Sequence, residues 1–232
     1  MKIQVFDDAT SAARAAASMI ADELRLALAA RGHFLLAVSG GHTPWLTLRD
    51  LAALELPWDN VHLFQTDERV APNGSPDRNL THIQESLLSR APFPPDRMHA
   101  MPVDLPDLNA AAAHYSDTLR HIAGTPPVLD LVHLGLGTDG HTASLVPGDP
   151  VVNMDDADVA LTATYSGTRR MTLTFPVLNR ARHILWLVTG SDKQPMLQRL
   201  LAGDTSIPAG RVSRDQALVV ADRAAAGPAP GA

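Results

Sequence analysis

The sequence predicts an α/β fold: a Rossmann-like, mainly parallel sheet with helices on both faces, in three α/β/α layers. Two observations predict it. Short apolar runs recur along the chain, each ending in glycine or an acid, and helical patterns stand between them. Alternation of this kind builds strand–helix–strand units, whose strands are covered on both faces and read as near-continuous apolar runs.

The first element is a helix from Asp8 to Arg31. Its apolar positions Ala12, Ala16, Met19, Ile20, Leu24 and Leu28 recur every three or four residues, and Gly32 ends it. Four buried strands are expected in FLLAVSGG (34–41), VHLFQTDE (61–68), LDLVHLGLG (129–137) and HILWLVTG (183–190). Helices are expected in TPWLTLRDLAAL (43–54), LNAAAAHYSDTLRHIA (108–123), FPVLNRA (175–181) and KQPMLQRLLAG (193–203). Weaker strand signals lie at 158–165, 170–175 and 217–222, and the proline-rich stretch 90–108 reads as a surface loop. A chain of 232 residues, 45% of them hydrophobic, buries one substantial core. One domain over residues 1–223 is therefore expected, with an unstructured tail, AAAGPAPGA, at 224–232.

Composition removes several classes of function. No apolar run reaches the roughly eighteen residues that a membrane span needs. The N-terminal segment carries Asp7, Asp8, Asp22 and Glu23 in place of the basic and apolar regions of an export signal. There is no cysteine, which excludes disulfides, thiolate metal sites and cysteine nucleophiles and suits a cytoplasmic location. The formal net charge of −6 makes nucleic acid an unsuitable partner and requires any anion to be held by a local cluster of donors. Oligomeric state is left open by the sequence, with a monomer as the expectation. Lysine is confined to Lys2 and Lys193.

In an open parallel sheet, ligands sit beyond the carboxyl ends of the strands. After the first apolar run comes Ser39-Gly40-Gly41-His42-Thr43-Pro44. Two glycines permit a tight turn with amides facing outward, and Thr43-Pro44 opens a helix whose amino end favours an anion, so a phosphate cradle is expected. After the second run, Asp67, Glu68, Arg69, Asp77, Arg78 and Asn79 concentrate charge that by itself is no more than a solvated loop. After the third comes GLGTDGHTAS, which contains the dinucleotide pattern GxGxxG. Pro147-Gly148-Asp149-Pro150 interrupts the chain within two turns of His141, leaving no room for the crossover helix that pattern requires. What the segment offers instead is a histidine beside Asp139 on glycine-rich backbone at the ligand edge. His33, His62, His82, His99, His114, His121 and His183 have no such position and are expected to be structural. No HExxH-type spacing supports a metal site, and no GxSxG surrounds Ser39.

Four segments in order, SGGHTP, TDERVAP with PDRNL, LGLGTDGHTASLVPG and RRMTLTFPVLNRARHILWLVTGSDK, resemble the 6-phosphogluconolactonase family over nearly the whole chain. The resemblance implies hydrolysis of 6-phosphoglucono-δ-lactone to 6-phosphogluconate without metal or organic cofactor. It makes His141 the general base, with Asp139 and Asp67 orienting it. The phosphate falls to Ser39, Gly40, Gly41 and Thr43, with Arg170 and Lys193 as clamps, Arg69 at the developing oxyanion and Asn79 in the loop after it. The chain departs from the family at His42, at Val146 and at Ser166-Gly167-Thr168, where prolines are usual. A glucosamine-6-phosphate deaminase is the nearest alternative, but that family carries a glutamate five residues after its histidine, where Val146 stands here. A non-catalytic sugar-phosphate sensor is the second alternative, and the chain lacks the basic helix that such modules carry.

Overall fold

In the computed structural model, which describes residues 1–228, the alternation resolves into seven parallel strands in one sheet and three antiparallel strands in another. The strands are β1 (Lys2–Phe6), β2 (Phe34–Val38), β3 (Val61–Gln65), β4 (Asp67–Arg69), β5 (Met98–His99), β6 (Leu131–Leu134), β7 (Val159–Leu161), β8 (Arg170–Leu173), β9 (His183–Val188) and β10 (Ala217–Asp222). The large sheet runs in the order β1-β10-β9-β6-β2-β3-β5, and β4-β8-β7 form the small one. The helices are α1 (Ala9–Arg31), α2 (His42–Ala52), α3 (Asn79–Ile83), α4 (Leu108–Ala123), α5 (Phe175–Arg180), α6 (Gln194–Ala202) and α7 (Arg223–Ala226).

Period-two alternation assigns each strand residue to a face. In β2, Phe34, Leu36 and Val38 pack among residues of α1 and α2, while Leu35 and Ala37 join residues of α4, α5 and α6 on the other side. Helices therefore cover both faces, and the expected α/β/α class is the one observed. Asp8 caps α1 through a reciprocal pair with Ser11, and Gly32 ends it in the left-handed region at φ 75°, where only glycine pays no steric penalty.

Three expectations are corrected. Lys2–Phe6 is a strand, paired in parallel with β10 at the sheet edge, although its residues are mostly exposed and carry no apolar run. The proline-rich stretch is not simply a surface loop: it supplies β5, and Met101 and Val103 are buried in the core. The tail expected to be unstructured from 224 begins with the helical turn α7, capped by Asp222 and buried at Ala225; its last residues, 229–232, lie outside the described ones.

His133, in the middle of the sheet, is fully buried, and neither ring nitrogen has a hydrogen-bond partner among the described residues. Burial alone pushes its pKa down to about 4. Below pH 6.5 the unfolded chain takes up a proton that the folded chain refuses until about pH 4, so stability falls as pH drops through that window and then levels off. In His133→Leu this loss disappears. The gain in unfolding free energy over the parent should be about 2 kcal/mol larger at pH 5 than at pH 8, measured by urea denaturation. An equal gain at both pH values would contradict it.

Candidate functional site

The carboxyl ends of β9, β6, β2 and β3 stand side by side, and between β6 and β2 the chain changes direction across the sheet. Here a cavity of about 410 Å³ opens, at the position where the fold leaves a crevice. Ser39, Gly40, Gly41 and Thr43 line it from the β2–α2 turn, Asp67, Arg69 and Asn79 from the β3–α3 segment, Gly137 and His141 from the loop after β6, and Arg170 and Lys193 from β8 and the turn before α6. All the sequence-predicted cavity residues meet there except Asp139, which stands just behind the rim.

The loop after β6 is shaped around its histidine. Asp139 Oδ1 accepts from the His141 amide at 3.1 Å and from its Nδ1 at 2.6 Å. That bond fixes the Nδ1–H tautomer and leaves the Nε2 lone pair free. Burial works against the Asp139 charge, but the His141 amide and ring and the Tyr165 hydroxyl outweigh it and hold the carboxyl below its ordinary pKa. Gly137 lies so close beneath the ring that an added Cβ would sit 2.1 Å from His141 Nδ1. Gly137→Ala must therefore displace the imidazole. It should cost about a hundredfold in kcat with little change in fold stability, the loss typical of a catalytic group moved by roughly 1 Å. Retention of full turnover by that variant would show that the ring position does not matter.

The turn from Ser39 to Thr43 leaves the amino end of α2 open. Gly41, at φ 123°, precedes α2, and no side chain caps the first turn, so the amides there remain available to an anion. Gly40 is pressed against Asn79: a Cβ on it would fall 1.9 Å from Asn79 Oδ1. The hydroxyls of the cradle have other duties. Ser39 Oγ donates to the His133 carbonyl at 3.0 Å, and Thr43 Oγ1 meets Thr189 Oγ1 at 2.6 Å, tying α2 to the end of β9. Of the two adjacent arginines, Arg170 is buried at the cavity with its Nε unpaired among the described residues, whereas Arg169 lines a separate cleft beside α4. Arg69 reaches the Asp77 carbonyl at 2.9 Å, and Lys193 lies 3.4 Å from Asp192.

One expected role is altered. Asp67 does not touch the His141 ring; its carboxylate accepts from Ser144 at 2.6 Å and from Thr66 at 3.2 Å. It braces the loop that carries His141 from behind. Residues that the sequence reading passed over include Ser144, Tyr165 and the buried pair Glu68–Arg78. Tyr165 donates to Asp139 Oδ2 at 3.1 Å, and its ring stands edge-on to His141 at 5.7 Å between centroids. Among the described residues, no group of three or more histidine, aspartate or glutamate side chains is arranged to hold a metal ion.

Residues 7–220 match the family described as glucosamine-6-phosphate isomerases/6-phosphogluconolactonase. A 6-phosphogluconolactonase of Mycobacterium tuberculosis is 34% identical over 243 aligned positions covering 98% of each chain. One of Nostoc sp. is 33% identical over 204 residues, 86% of this chain and 85% of that one. Among solved structures, the 6-phosphogluconolactonase from Thermotoga maritima superposes with a TM-score of 0.85 at 30% identity, over 95% of this chain and 98% of that chain.

Proposed function

The chain belongs to the glucosamine-6-phosphate isomerase/6-phosphogluconolactonase family, and on that premise we infer that it hydrolyses 6-phosphoglucono-δ-lactone to 6-phosphogluconate, a step of the pentose phosphate pathway, in the cytoplasm. One observation carries the reading within a family that holds two activities. His141 is tied through Nδ1 to Asp139 at the rim of a cavity whose floor is an uncapped helix end, and the position five residues on is the buried Val146. A valine exchanges no proton, so the ring-opening chemistry of the deaminases lacks its carboxylate, whereas ester hydrolysis needs only the imidazole.

The geometry supports a mechanism in which one imidazole serves as base and then as acid. The phosphate rests on the α2 amides, with Arg170 and Lys193 as its cationic partners, which fixes the sugar ring against His141. Nε2 takes a proton from water as the oxygen attacks the lactone carbonyl, and the imidazolium formed is stabilised by ionised Asp139. Arg69 faces the oxyanion of the tetrahedral adduct. The adduct collapses with cleavage of the bond to the ring oxygen, to which His141 returns the proton. No covalent enzyme intermediate is required.

The experiment supplies freshly generated lactone, follows its disappearance with and without protein, and separately measures ammonia release from glucosamine 6-phosphate. Accelerated lactone loss without ammonia supports the reading. Ammonia release, or lactone loss at the spontaneous rate, overturns it.

A further inference from the structure

We propose that Tyr165 is a positioning residue for this site, its hydroxyl orienting the Asp139–His141 pair and its ring orienting Arg170. The inference rests on the reading of His141 as the base. Three contacts converge on one side chain: the hydroxyl donates to Asp139 Oδ2 at 3.1 Å, the ring edge packs against the imidazole, and the Arg170 guanidinium lies 4.9 Å above the ring centroid. The base, on the loop after β6, and the anion clamp, on β8, are thus joined through one aromatic residue. A guanidinium over an aromatic face is held by the ring quadrupole, and this one is itself buried with its Nε unpaired among the described residues, so the ring limits where it points.

The local backbone is built to hold Tyr165 still. Tyr165 and Thr168 close a two-residue turn through the bonds Tyr165 N to Thr168 O at 2.9 Å and Thr168 N to Tyr165 O at 3.3 Å. Ser166 and Gly167 both have positive φ, 50° and 83°, the signature of a primed hairpin turn. Thr168 Oγ1 donates to the Val70 carbonyl at 3.0 Å, pinning the turn to the strand that carries Asp67 and Arg69.

The hydroxyl and the ring have separable consequences. The hydroxyl withdraws part of the Asp139 charge that faces the ring, so removing it changes the field at the imidazole and leaves the ring less firmly aimed. The titratable and charged groups around that imidazole are Asp139 on its own loop, Asp67 and Arg69 from β4, Arg170 from β8, and His42 and Lys193 across the cavity; of these, Tyr165→Phe takes a hydrogen bond from Asp139 alone. Partial burial and the neighbouring Asp139 hold the phenol above its ordinary pKa, so it remains a donor at neutral pH.

Tyr165→Phe and Tyr165→Leu are compared with the parent by kcat, KM, the acid limb of the kcat/KM profile, and the pH titration of the His141 ring by NMR. In Tyr165→Phe, kcat should fall about tenfold, as for the loss of one bond to a charged group, with the acid limb and the ring titration displaced from those of the parent and KM retained. Tyr165→Leu should show the same loss in kcat and, with the stacking surface gone, a KM raised about fivefold, which Phe at the same position rescues. Unchanged ring titration together with parental kcat in Tyr165→Phe would overturn the proposal, as would identical KM values in both variants. The NMR titration reports on the Asp139–His141 pair whatever reaction is catalysed, so it stands apart from a failure of the lactonase assignment.

Discussion

His141→Asn should lower kcat for lactone hydrolysis by a factor of about 100 to 10,000 while leaving KM near its parental value, the usual contribution of a positioned general base. The split follows from the architecture. Nothing proposed to hold the phosphate depends on the imidazole: the open helix end belongs to α2, the cationic side chains to β8 and to the turn before α6. The ring contributes only where water is deprotonated, so its loss falls on the chemical step, about 3 to 5 kcal/mol of transition-state stabilisation. Asparagine is the informative replacement, because its amide keeps a polar group near Asp139 without offering a base. The lactone hydrolyses spontaneously, and the measurement must be made on freshly generated substrate with the uncatalysed rate subtracted. Parental kcat in this variant would remove His141 from the mechanism, and a large rise in KM with kcat intact would reassign it to binding.

The parts of the fold that were legible in the sequence are those whose physics is local or one-dimensional. Strands β2 and β6 are buried at every position and β3 and β9 at nearly every one, so their composition alone exposes them. The strand β1 is the reverse case. At the sheet edge its neighbours lie only on one side, Ile3 and Val5 remain exposed, and the pairing with β10 that makes it a strand is more than 200 positions away in sequence. The site divides the same way. The glycine turn before α2 and the Asp139-Gly140-His141 turn are contiguous segments at strand ends, where parallel sheets place ligands. Asp67 lines the cavity, but its hydrogen-bond partner Ser144 lies 77 residues on and a serine carries no signal in sequence. Tyr165 was hidden for the same reason: its meaning comes from a turn that folds back on Asp139 and Arg170.

Glu68 makes the largest demand on stability. It is fully buried, yet it lies in a segment that in sequence reads as a solvated charged loop. Its carboxylate accepts four bonds of 2.8 Å, from Gln65 Nε2 and from the amides of Arg69, Asn79 and Leu80, and it faces the buried Arg78 guanidinium at 3.5 Å. Two of those amides are the first of α3, so the side chain serves as the helix cap that Arg78, in the cap position, does not provide. Every convergent group is a donor. In Glu68→Gln an NH2 must face at least two of them and the Arg78 charge loses its counter-ion, which should cost about 3 to 5 kcal/mol by urea denaturation. Because Asn79 is held against Gly40 by this cap, the surviving folded enzyme should also show a raised KM. Adding Arg78→Met to Glu68→Gln should restore part of the stability, since an uncompensated buried guanidinium is the larger share of the penalty. A single variant within about 1 kcal/mol of the parent, or a double variant less stable than the single one, would show that the pair is not what anchors α3 beneath the cavity.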